Sequence, residues 1–417
     1  MAGVGTAVSG ESYSQEELLD IFHITDPRAR SVFRGSAIER RYLTLPPAQD
    51  GALVQETQGD LLAKHKGLAL DMAARAIDAA LKNAGATIGD IGHLCCVTTT
   101  GFLTPGLSAL LIREMGIAPQ CSRVDIVGMG CNAGLNALGV ASAWSAVNPR
   151  QLAVLVCAEA CSAAYVLDST MRSAVVNSLF GDGAGAVVLT SAGMGGRLQV
   201  APPGPRILGF ASHIITDAIG AMRYDWDDGQ GKFSFYLDPD IPYVVGAHAE
   251  LVVSRLLGRA GLRRSDIGHW LVHSGGKKVI DAVRVNLGLT RHDLRHTIGV
   301  LSDYGNVSSG SFLFSYERLA REGVAQPGEY GVLMTMGPGS TIETALIQWL
   351  RDCGRVPASC PGPVIPCSGL TAAASRRLSQ WPASRGCATR PKTVTRAARA
   401  PRALSSCGCR ASPAPDG

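Results

Sequence analysis

The sequence has no apolar run long enough to cross a bilayer, which excludes a helical membrane span of ordinary length. Residues 1–11 lack the basic segment followed by an apolar one that marks a secretory signal, so the cytoplasm is the expected location. Charged residues are also scarce, at 18% of the chain against 46% hydrophobic residues. This balance excludes a wholly disordered chain and is typical of a packed globular protein.

Paired metal-binding cysteines are absent as well, although the chain has twelve cysteines. No Cys-x-x-Cys module occurs, and Cys157 and Cys161, four positions apart, have no second pair or nearby histidine to complete a site. We therefore expect no metal site. In a cytoplasmic protein these thiols are expected to stay free rather than form disulfides.

Positive charge is concentrated at one end of the chain. Residues 351–417 contain ten arginines and Lys392 against Asp352 and Asp416, a net charge of +9, whereas residues 1–350 carry 28 basic and 32 acidic side chains, a net charge of −4. The mildly acidic body gives no reason to expect nucleic-acid binding. Nine of the 22 prolines also lie in the basic segment, which shows no helical or strand periodicity, and we predict a disordered tail there.

A repeated phrase divides the body. Residues 84–94 and 260–270 both begin with Ala-Gly and both contain Asp-Ile-Gly-His before an apolar, strand-like run. The two copies are 176 positions apart, about half the length of the body. The repeat predicts an α/β fold with parallel strands and two similar halves, residues 1–200 and 201–350, whose equivalent loops meet at a shared centre.

Cys131 is the candidate nucleophile. It follows a strand-like run, and Gly128 and Gly130 allow a tight turn before a helical pattern begins. A helix N-terminus carries partial positive charge and free N–H groups, so we expect this position to favour the thiolate and to lower the pKa of Cys131. A buried structural thiol is the alternative, and it is the better interpretation of the cysteines within apolar runs, Cys95, Cys96 and Cys157.

His273 and Asn306 are the candidate partners of this cysteine. His273 ends an apolar run and precedes Ser-Gly-Gly, where an imidazolium could stabilise a thiolate or a neutral ring could donate to a carbonyl. Asn306 lies 175 positions after Cys131 and, like it, follows a glycine that opens a helical pattern, so the two are predicted to be equivalent. Its amide supplies donors for an oxyanion. A satisfied loop histidine and an asparagine helix cap are the alternatives.

Cysteine, histidine and asparagine together suit acyl transfer to sulfur followed by carbon–carbon bond formation. The cysteine would carry the acyl group, and the other two side chains would stabilise the enolate left when malonyl-CoA loses carbon dioxide. Because this chemistry needs neither a metal nor a redox cofactor, no cofactor is expected.

A family resemblance rests on five phrases that occur in family order: GMGCNAGLNAL from Gly128, LFGDGAGA from Leu179, HSGG from His273, YGNVSSGS from Tyr304 and MGPGSTIE from Met336. They resemble the motifs of the chalcone synthase-like, type III polyketide synthase family, and the resemblance covers residues 3–350. It implies the thiolase-like αβαβα fold with two pseudo-symmetric halves, and a homodimer. Residues 95–114 and 233–250 are most similar to the bacterial members that make 3,5-dihydroxyphenylacetyl-CoA in antibiotic biosynthesis.

The resemblance also implies roles for particular residues. Cys131 matches the family's nucleophile, and His273 and Asn306 match its decarboxylation pair. The implied residues of the cavity are the gatekeepers Phe180 and Phe235, with the neighbouring Phe233 as an alternative to Phe235, and the wall residues Thr99 and Ser308.

The family's basic cluster for the CoA phosphates is only partly present. Arg28 matches one of its members, whereas a serine and a glycine occupy two other basic positions. Lys277 and Lys278 stand where the family has small apolar residues. We hypothesise that Arg28, Arg34, Lys277 and Lys278 share phosphate binding.

The implied activity is decarboxylative Claisen condensation of malonyl-CoA, as both starter and extender, on a cysteine thioester, followed by cyclisation to 3,5-dihydroxyphenylacetyl-CoA. CoA thioesters are the implied substrates, and enzymes that speed dehydration are implied companions. One alternative is a related condensing enzyme, with a different acyl-CoA starter or of the ketoacyl-ACP synthase III type. Another is a catalytically silent partner-binding subunit, against which the intact Cys131, His273 and Asn306 argue.

Overall fold

The computed structural model describes residues 1–8, 10–168, 170–191 and 204–350 of the chain. The tail predicted for residues 351–417, with its six cysteines, lies outside these described residues. The α-helices within the described ranges are α1 Gln15–Ile21, α2 Pro27–Arg34, α3 Gln58–Ala84, α4 Leu107–Met115, α5 Ala133–Val147, α6 Met171–Leu179, α7 Ile241–Arg259, α8 Lys277–Leu287, α9 Arg295–Tyr304 and α10 Ser311–Glu322.

Strands alternate with these helices along the described chain. Their bounds are β1 Gly3–Ala7, β2 Glu11–Ser14, β3 Arg40–Leu43, β4 Ala48–Gln49, β5 Ala52–Leu53, β6 Ile91–Val97, β7 Ser122–Ile126, β8 Leu152–Glu159, β9 Gly183–Leu189, β10 Arg206–Ile214, β11 Met222–Asp227, β12 Lys232–Leu237, β13 Ile267–Val272, β14 Tyr330–Gly337 and β15 Thr341–Gln348.

Two sheets carry the strands that surround the site. The first has the order β1-β9-β8-β6-β7, and the second has the order β10-β15-β14-β13. The predicted parallel pairing is confirmed where β6 meets β7 and β8, and where β13 meets β14. The remaining pairs in both sheets are antiparallel, because β1, β9, β10 and β15 run against their neighbours. The boundary at residue 200 between two halves stays a prediction.

The helices and sheets stack in five layers. Helix α3 packs on the outer face of the first sheet, and α7 packs on the outer face of the second, with α8 beside it. Helices α5 and α10 lie between the sheets, since each contacts strands of both. Three separate apolar clusters fill the spaces between these layers. The predicted αβαβα arrangement is thereby confirmed.

The two copies of the repeated phrase adopt the same local structure. In the first copy, α3 ends at Ala84 and a 3₁₀ turn, Ile88–Asp90, leads into β6. In the second copy, α7 ends at Arg259 and a 3₁₀ turn, Arg264–Asp266, leads into β13. The copies therefore deliver equivalent strands to the two sheets, which brings the loops after those strands toward the middle of the fold.

Helix α3 shows how the sequence sets the limits of an element. It starts at a capping box, in which Thr57 and Asp60 bond each other's backbone N–H groups, and it ends at Gly85 in the left-handed conformation. Its buried face is rich in alanine, which lets the glycines of β1 approach closely.

No helix in the described ranges is long and apolar enough to cross a membrane. The cytoplasmic location stays a prediction.

Candidate active site

Cys131 lies at the turn between a strand and a helix, as the sequence predicts. Strand β7 ends at Ile126, the 3₁₀ turn Gly130–Asn132 follows, and α5 starts at Ala133. Gly130 has a φ of 66°, and a Cβ atom there would lie 2.3 Å from Pro338 Cδ. Only glycine satisfies both conditions. The thiol is buried, with 7% of the residue exposed.

Asn306 follows Gly305, whose positive φ of 69° is a backbone conformation that favours glycine. Its backbone forms a parallel β-bridge with Phe180: the Asn306 N–H donates to the Leu179 carbonyl over 2.8 Å, and its carbonyl accepts from Gly181 N–H over 3.1 Å. The prediction that this residue opens a helix is wrong. Because the bridge occupies its backbone groups, α10 starts five residues later, after a 3₁₀ turn.

His273 directly follows β13, and its N–H donates to the Met334 carbonyl of β14 over 2.8 Å. Its Nδ1 atom is hydrogen-bonded to the hydroxyl of Ser311, the first residue of α10. Burial lowers the pKa of His273 to about 3, so the ring alone is neutral near pH 7.

The three candidate catalytic residues line one cavity of about 410 Å³. Cys131 comes from the first sheet's side of the fold, whereas His273 and Asn306 come from the second half of the sequence. Four other predicted residues line the same cavity: Phe180, Phe235, Lys277 and Lys278. Cys131 and Asn306, 175 positions apart in sequence, therefore line one cavity, as the repeat led us to expect.

A smaller cavity of about 30 Å³ lies on the other side of the two phenylalanines. Cys131, Phe180 and Phe235 line both spaces, and the predicted wall residues Thr99 and Ser308 line only the smaller one. The thiol thus stands where the two cavities adjoin. Two further residues of the smaller cavity, which sequence reasoning missed, are Cys161 and Tyr224.

Phe180 and Phe235 meet edge to face, with ring centroids 5.7 Å apart. Side chains two positions apart share one face of a strand, so Phe233 lies on the same face of β12 as Phe235. It pairs with Trp226 further from the cavity, where it is 51% exposed. The structure therefore places Phe235, rather than Phe233, at the cavity. Arg41, which is fully buried, donates to the Phe180 carbonyl over 2.8 Å and fixes this backbone.

The pKa expected for the nucleophile is not the one found. Burial raises the pKa of Cys131 to about 12, although a hydrogen-bond contact with the Ser308 hydroxyl, at 3.4 Å, acts in the opposite direction. The helix N-terminus favours a thiolate, but the free energy needed to remove the charged sulfur from water is larger than the stabilisation by the helix dipole. Burial therefore favours the neutral form of both the Cys131 thiol and the His273 ring, which line the same cavity.

Glu159 is a buried acid of the site that sequence reasoning missed. Its carboxylate accepts from the N–H and the hydroxyl of Thr99, both over 2.9 Å, from the Thr100 hydroxyl over 3.1 Å, and from the Ser309 hydroxyl. Burial raises its pKa, and these donors oppose the rise. The available signal was an acidic residue at the end of an otherwise apolar strand, LAVLVCAE.

Of the four candidate phosphate ligands, only two line the larger cavity. Lys277 and Lys278 are exposed at the first turn of α8, at the rim of the larger cavity. Arg28 is exposed on α2 and lines neither cavity, although Ser31, one turn further along that helix, lines the larger one. Arg34 makes a two-pronged pair with Glu16, over 2.7 and 2.9 Å, which argues against the hypothesised role of this arginine.

Five alternating layers with a buried cysteine, a histidine and an asparagine at their centre define a condensing enzyme of the thiolase fold. Comparison with known proteins gives the family. The model of the N-terminal domain of chalcone and stilbene synthases matches residues 37–193, and the model of their C-terminal domain matches residues 228–351. The chain belongs to the chalcone and stilbene synthase family, and it is a type III polyketide synthase.

Individual relatives agree with this assignment. The chain is 71% identical over 349 residues to a 3,5-dihydroxyphenylacetyl-CoA synthase of Amycolatopsis balhimycina, covering 84% of this chain and 92% of that one. It is 72% identical over 350 residues to the enzyme of the same name from Streptomyces toyocaensis, covering 84% and 90%. The crystal structure of 1,3,6,8-tetrahydroxynaphthalene synthase from Streptomyces coelicolor A3(2), a type III polyketide synthase, superposes with a TM-score of 0.75 at 27% identity, covering 84% and 99%.

Proposed function

We propose that this chain condenses malonyl-CoA units, as starter and extender, and cyclises the product to 3,5-dihydroxyphenylacetyl-CoA. The observation that carries the proposal is the single cavity lined by Cys131, His273 and Asn306, in a chain more than 70% identical to synthases of that name. We propose CoA thioesters as its substrates and no cofactor, as the chemistry of the three side chains requires neither a metal nor a redox group. The three side chains would act in two successive steps.

In the loading step, the Cys131 thiol passes its proton to His273, and the thiolate attacks the thioester carbonyl of malonyl-CoA. The bond from that carbonyl to the CoA sulfur breaks, and CoA leaves as a thiolate that takes a proton from water. Separate charges would be costly in this buried site. Transfer between two groups of one cavity creates both charges together, so each stabilises the other.

In the extension step, a second malonyl-CoA loses carbon dioxide. Its carbon–carboxylate bond breaks, and the electron pair moves onto the thioester as an enolate. His273, now carrying a proton, and the amide of Asn306 donate hydrogen bonds to the enolate oxygen. The enolate carbon then attacks the acyl group on Cys131, and the cysteine leaves as a thiolate beside the imidazolium. The step is balanced without an oxidant or reductant.

The arrangement of the two cavities supports growth of the chain at Cys131. The larger cavity opens at the exposed lysines, which suits entry of the CoA arm, and the smaller one lies beyond the phenylalanine pair. We propose Phe180 and Phe235 as the gate between them. At about 30 Å³ the inner space holds little more than one water molecule, so an acyl chain requires the aromatic side chains to move apart.

The phosphates of CoA would be bound at the rim of the larger cavity. Lys277 and Lys278 lie at the N-terminus of α8, where the helix dipole adds to their positive charge. Arg28 is proposed as a third contributor, because it lies on the face of α2 that also carries the cavity-lining Ser31 and Gly35.

We further propose that the chain works as a homodimer with companion enzymes that speed dehydration. Two features support a dimer: β7 lies at the edge of the first sheet, and large apolar side chains are exposed nearby, with Val127 at 50% and Phe102 at 69%. Loss of one water is required when an eight-carbon chain becomes the dihydroxyphenyl product, which is the step a companion would serve. Analytical ultracentrifugation tests the dimer.

The proposed function is tested by incubating the purified protein with malonyl-CoA alone and identifying products by mass spectrometry. An eight-carbon aromatic acid or its CoA ester, absent with the Cys131→Ala variant and present with Cys161→Ala, is the expected result. The second variant removes another buried thiol of the same site, so it serves as the matched control. Turnover only after addition of another acyl-CoA, or only with malonyl-ACP, would overturn the substrate assignment.

A further inference from the structure

The contacts of Ser311 point to an additional positioning residue. We propose that the Ser311 hydroxyl, held by the Ser308 carbonyl, keeps the proton of neutral His273 on Nδ1 and thereby leaves Nε2 free to accept the proton of Cys131. The inference rests on the proposed function, because it concerns the loading step of that reaction.

The tautomer follows from counting hydrogens. The Ser311 oxygen lies within hydrogen-bond distance of His273 Nδ1, and it also donates to the Ser308 carbonyl over 3.0 Å. A hydroxyl has one hydrogen, and a carbonyl oxygen can only accept. Both bonds therefore exist together only when Nδ1 carries the proton and donates it to Ser311. Ser311 is fully buried, so bulk water does not compete for either bond.

The acceptor that directs the hydroxyl is itself fixed. Ser308 has a φ of 48°, a conformation that non-glycine residues rarely adopt. Its N–H donates to Asn306 Oδ1 over 2.9 Å, and its carbonyl also accepts the backbone N–H of Ser311. Its hydroxyl lies 3.4 Å from the Cys131 sulfur. Residues 306–311 thus include Asn306 and contact the side chains of Cys131 and His273. The same segment determines which nitrogen of the His273 ring carries the proton.

The position of the proton matters differently in the two steps. Loading needs a bare nitrogen at Nε2, because that atom receives the proton of the thiol. Extension needs a proton at Nε2, which loading has just supplied. Without the Ser311 hydroxyl, the ring is free to carry its proton on Nε2 instead. That form can still donate to an enolate, but it cannot accept from Cys131, so the two steps should respond separately to the substitution.

The test compares the two steps in matched variants. Loading is followed by rapid quenching and intact-protein mass spectrometry of the acyl adduct formed from malonyl-CoA. We expect Ser311→Ala to slow it at least about 10-fold, in line with other residues that orient a functional histidine. Ser311→Cys keeps a side chain that can donate and accept, and it should recover part of the rate. The second step is followed in the Cys131→Ala variant as conversion of malonyl-CoA to acetyl-CoA. Adding Ser311→Ala to this variant should give a decarboxylation rate equal to or higher than that of Cys131→Ala alone.

Nitrogen-15 chemical shifts of the histidine rings give a direct readout of the tautomer, with His273 assigned by its loss in His273→Gln. The protonated nitrogen should be Nδ1 in the unmodified chain and should change to Nε2 in Ser311→Ala. Equal loss of both steps would show a merely structural role and overturn the inference, and so would unchanged loading. If the unmodified chain formed no acyl adduct, the proposed function would fail and the inference with it.

Discussion

The backbone N–H of Ser308 donates to the side-chain oxygen of Asn306 over 2.9 Å. This bond fixes the orientation of the Asn306 amide, because the oxygen accepts from Ser308 and the NH₂ group is left to donate to a ligand. Asn306 is 3% exposed and lines the larger cavity with Cys131 and His273. An uncharged donor of fixed orientation is what an enolate oxygen requires.

Replacement of Asn306 by aspartate keeps the oxygen that Ser308 contacts but exchanges the NH₂ donor for a second carboxylate oxygen. A negative charge then faces the enolate, and we expect malonyl-CoA decarboxylation to fall about 100-fold or more. Asn286→Asp, on the exposed face of α8, introduces the same charge away from the cavity and is the control. A fall of less than threefold in the release of carbon dioxide would remove Asn306 from the mechanism.

Removal of both rim lysines should weaken substrate binding without slowing chemistry. Each exposed charge pair contributes roughly 0.2–1 kcal/mol, so Lys277→Ala with Lys278→Ala should raise the KM for malonyl-CoA about 3- to 10-fold with kcat nearly unchanged. The effect should shrink as salt is added. The control pair is Lys66→Ala with Lys82→Ala, both exposed on α3. An unchanged KM at low ionic strength would contradict the assignment.

His65 should make the fold sensitive to mild acid. It is fully buried between the Thr98 and Thr100 hydroxyls, each 3.3 Å from a ring nitrogen, and burial lowers its pKa from 6.5 to about 4. Between these values the unfolded chain binds a proton that the folded chain does not. The contribution of His65 to the stability of the fold is therefore complete above pH 6.5 and is lost as the pH falls toward 4, with a loss of about 2 kcal/mol by pH 5.

The measurement is the free energy of unfolding in urea between pH 7.5 and 5, at fixed protein concentration. His65→Gln should reduce the slope against pH by about one proton, whereas the exposed His23→Gln should not change it. Asp182, whose pKa burial raises to about 6, acts in the opposite direction but is common to both proteins. Equal slopes for the unmodified chain and His65→Gln would show that His65 does not carry this effect.

Substitution of Glu159 by the nearly isosteric glutamine should destabilise the fold. Glutamine is nearly isosteric, but its NH₂ group would meet at least one of the donors of Thr99, Thr100 and Ser309 that now point at the carboxylate. We expect Glu159→Gln to lower the free energy of unfolding by about 1–3 kcal/mol. Glu114→Gln, exposed on α4, is the control. Identical urea midpoints for the unmodified chain and Glu159→Gln would disprove this account of the network.

The repeated phrase allowed much of the architecture to be predicted from sequence. Residues 84–94 and 260–270 do adopt the same helix, turn and strand, and they feed equivalent sheets. Local patterns could not reveal that β9 and β15 run antiparallel to both of their neighbours, because strand direction depends on which partner lies beside each strand. The start of α10 was misplaced for a similar reason: the bridge between Asn306 and Phe180 joins segments 126 positions apart.

Residue types and spacing alone were enough to predict Cys131, His273 and Asn306 as the reactive groups, since the glycine-flanked turns and the repeat at half the body length can be read directly from the sequence. Tertiary structure decided their protonation and orientation. Burial, not the helix end, sets the pKa of the Cys131 thiol, and the contacts of Ser308 and Ser311 set the faces that Asn306 and His273 present. Desolvation and hydrogen bonding depend on every atom packed around a group, and no one-dimensional pattern lists those atoms.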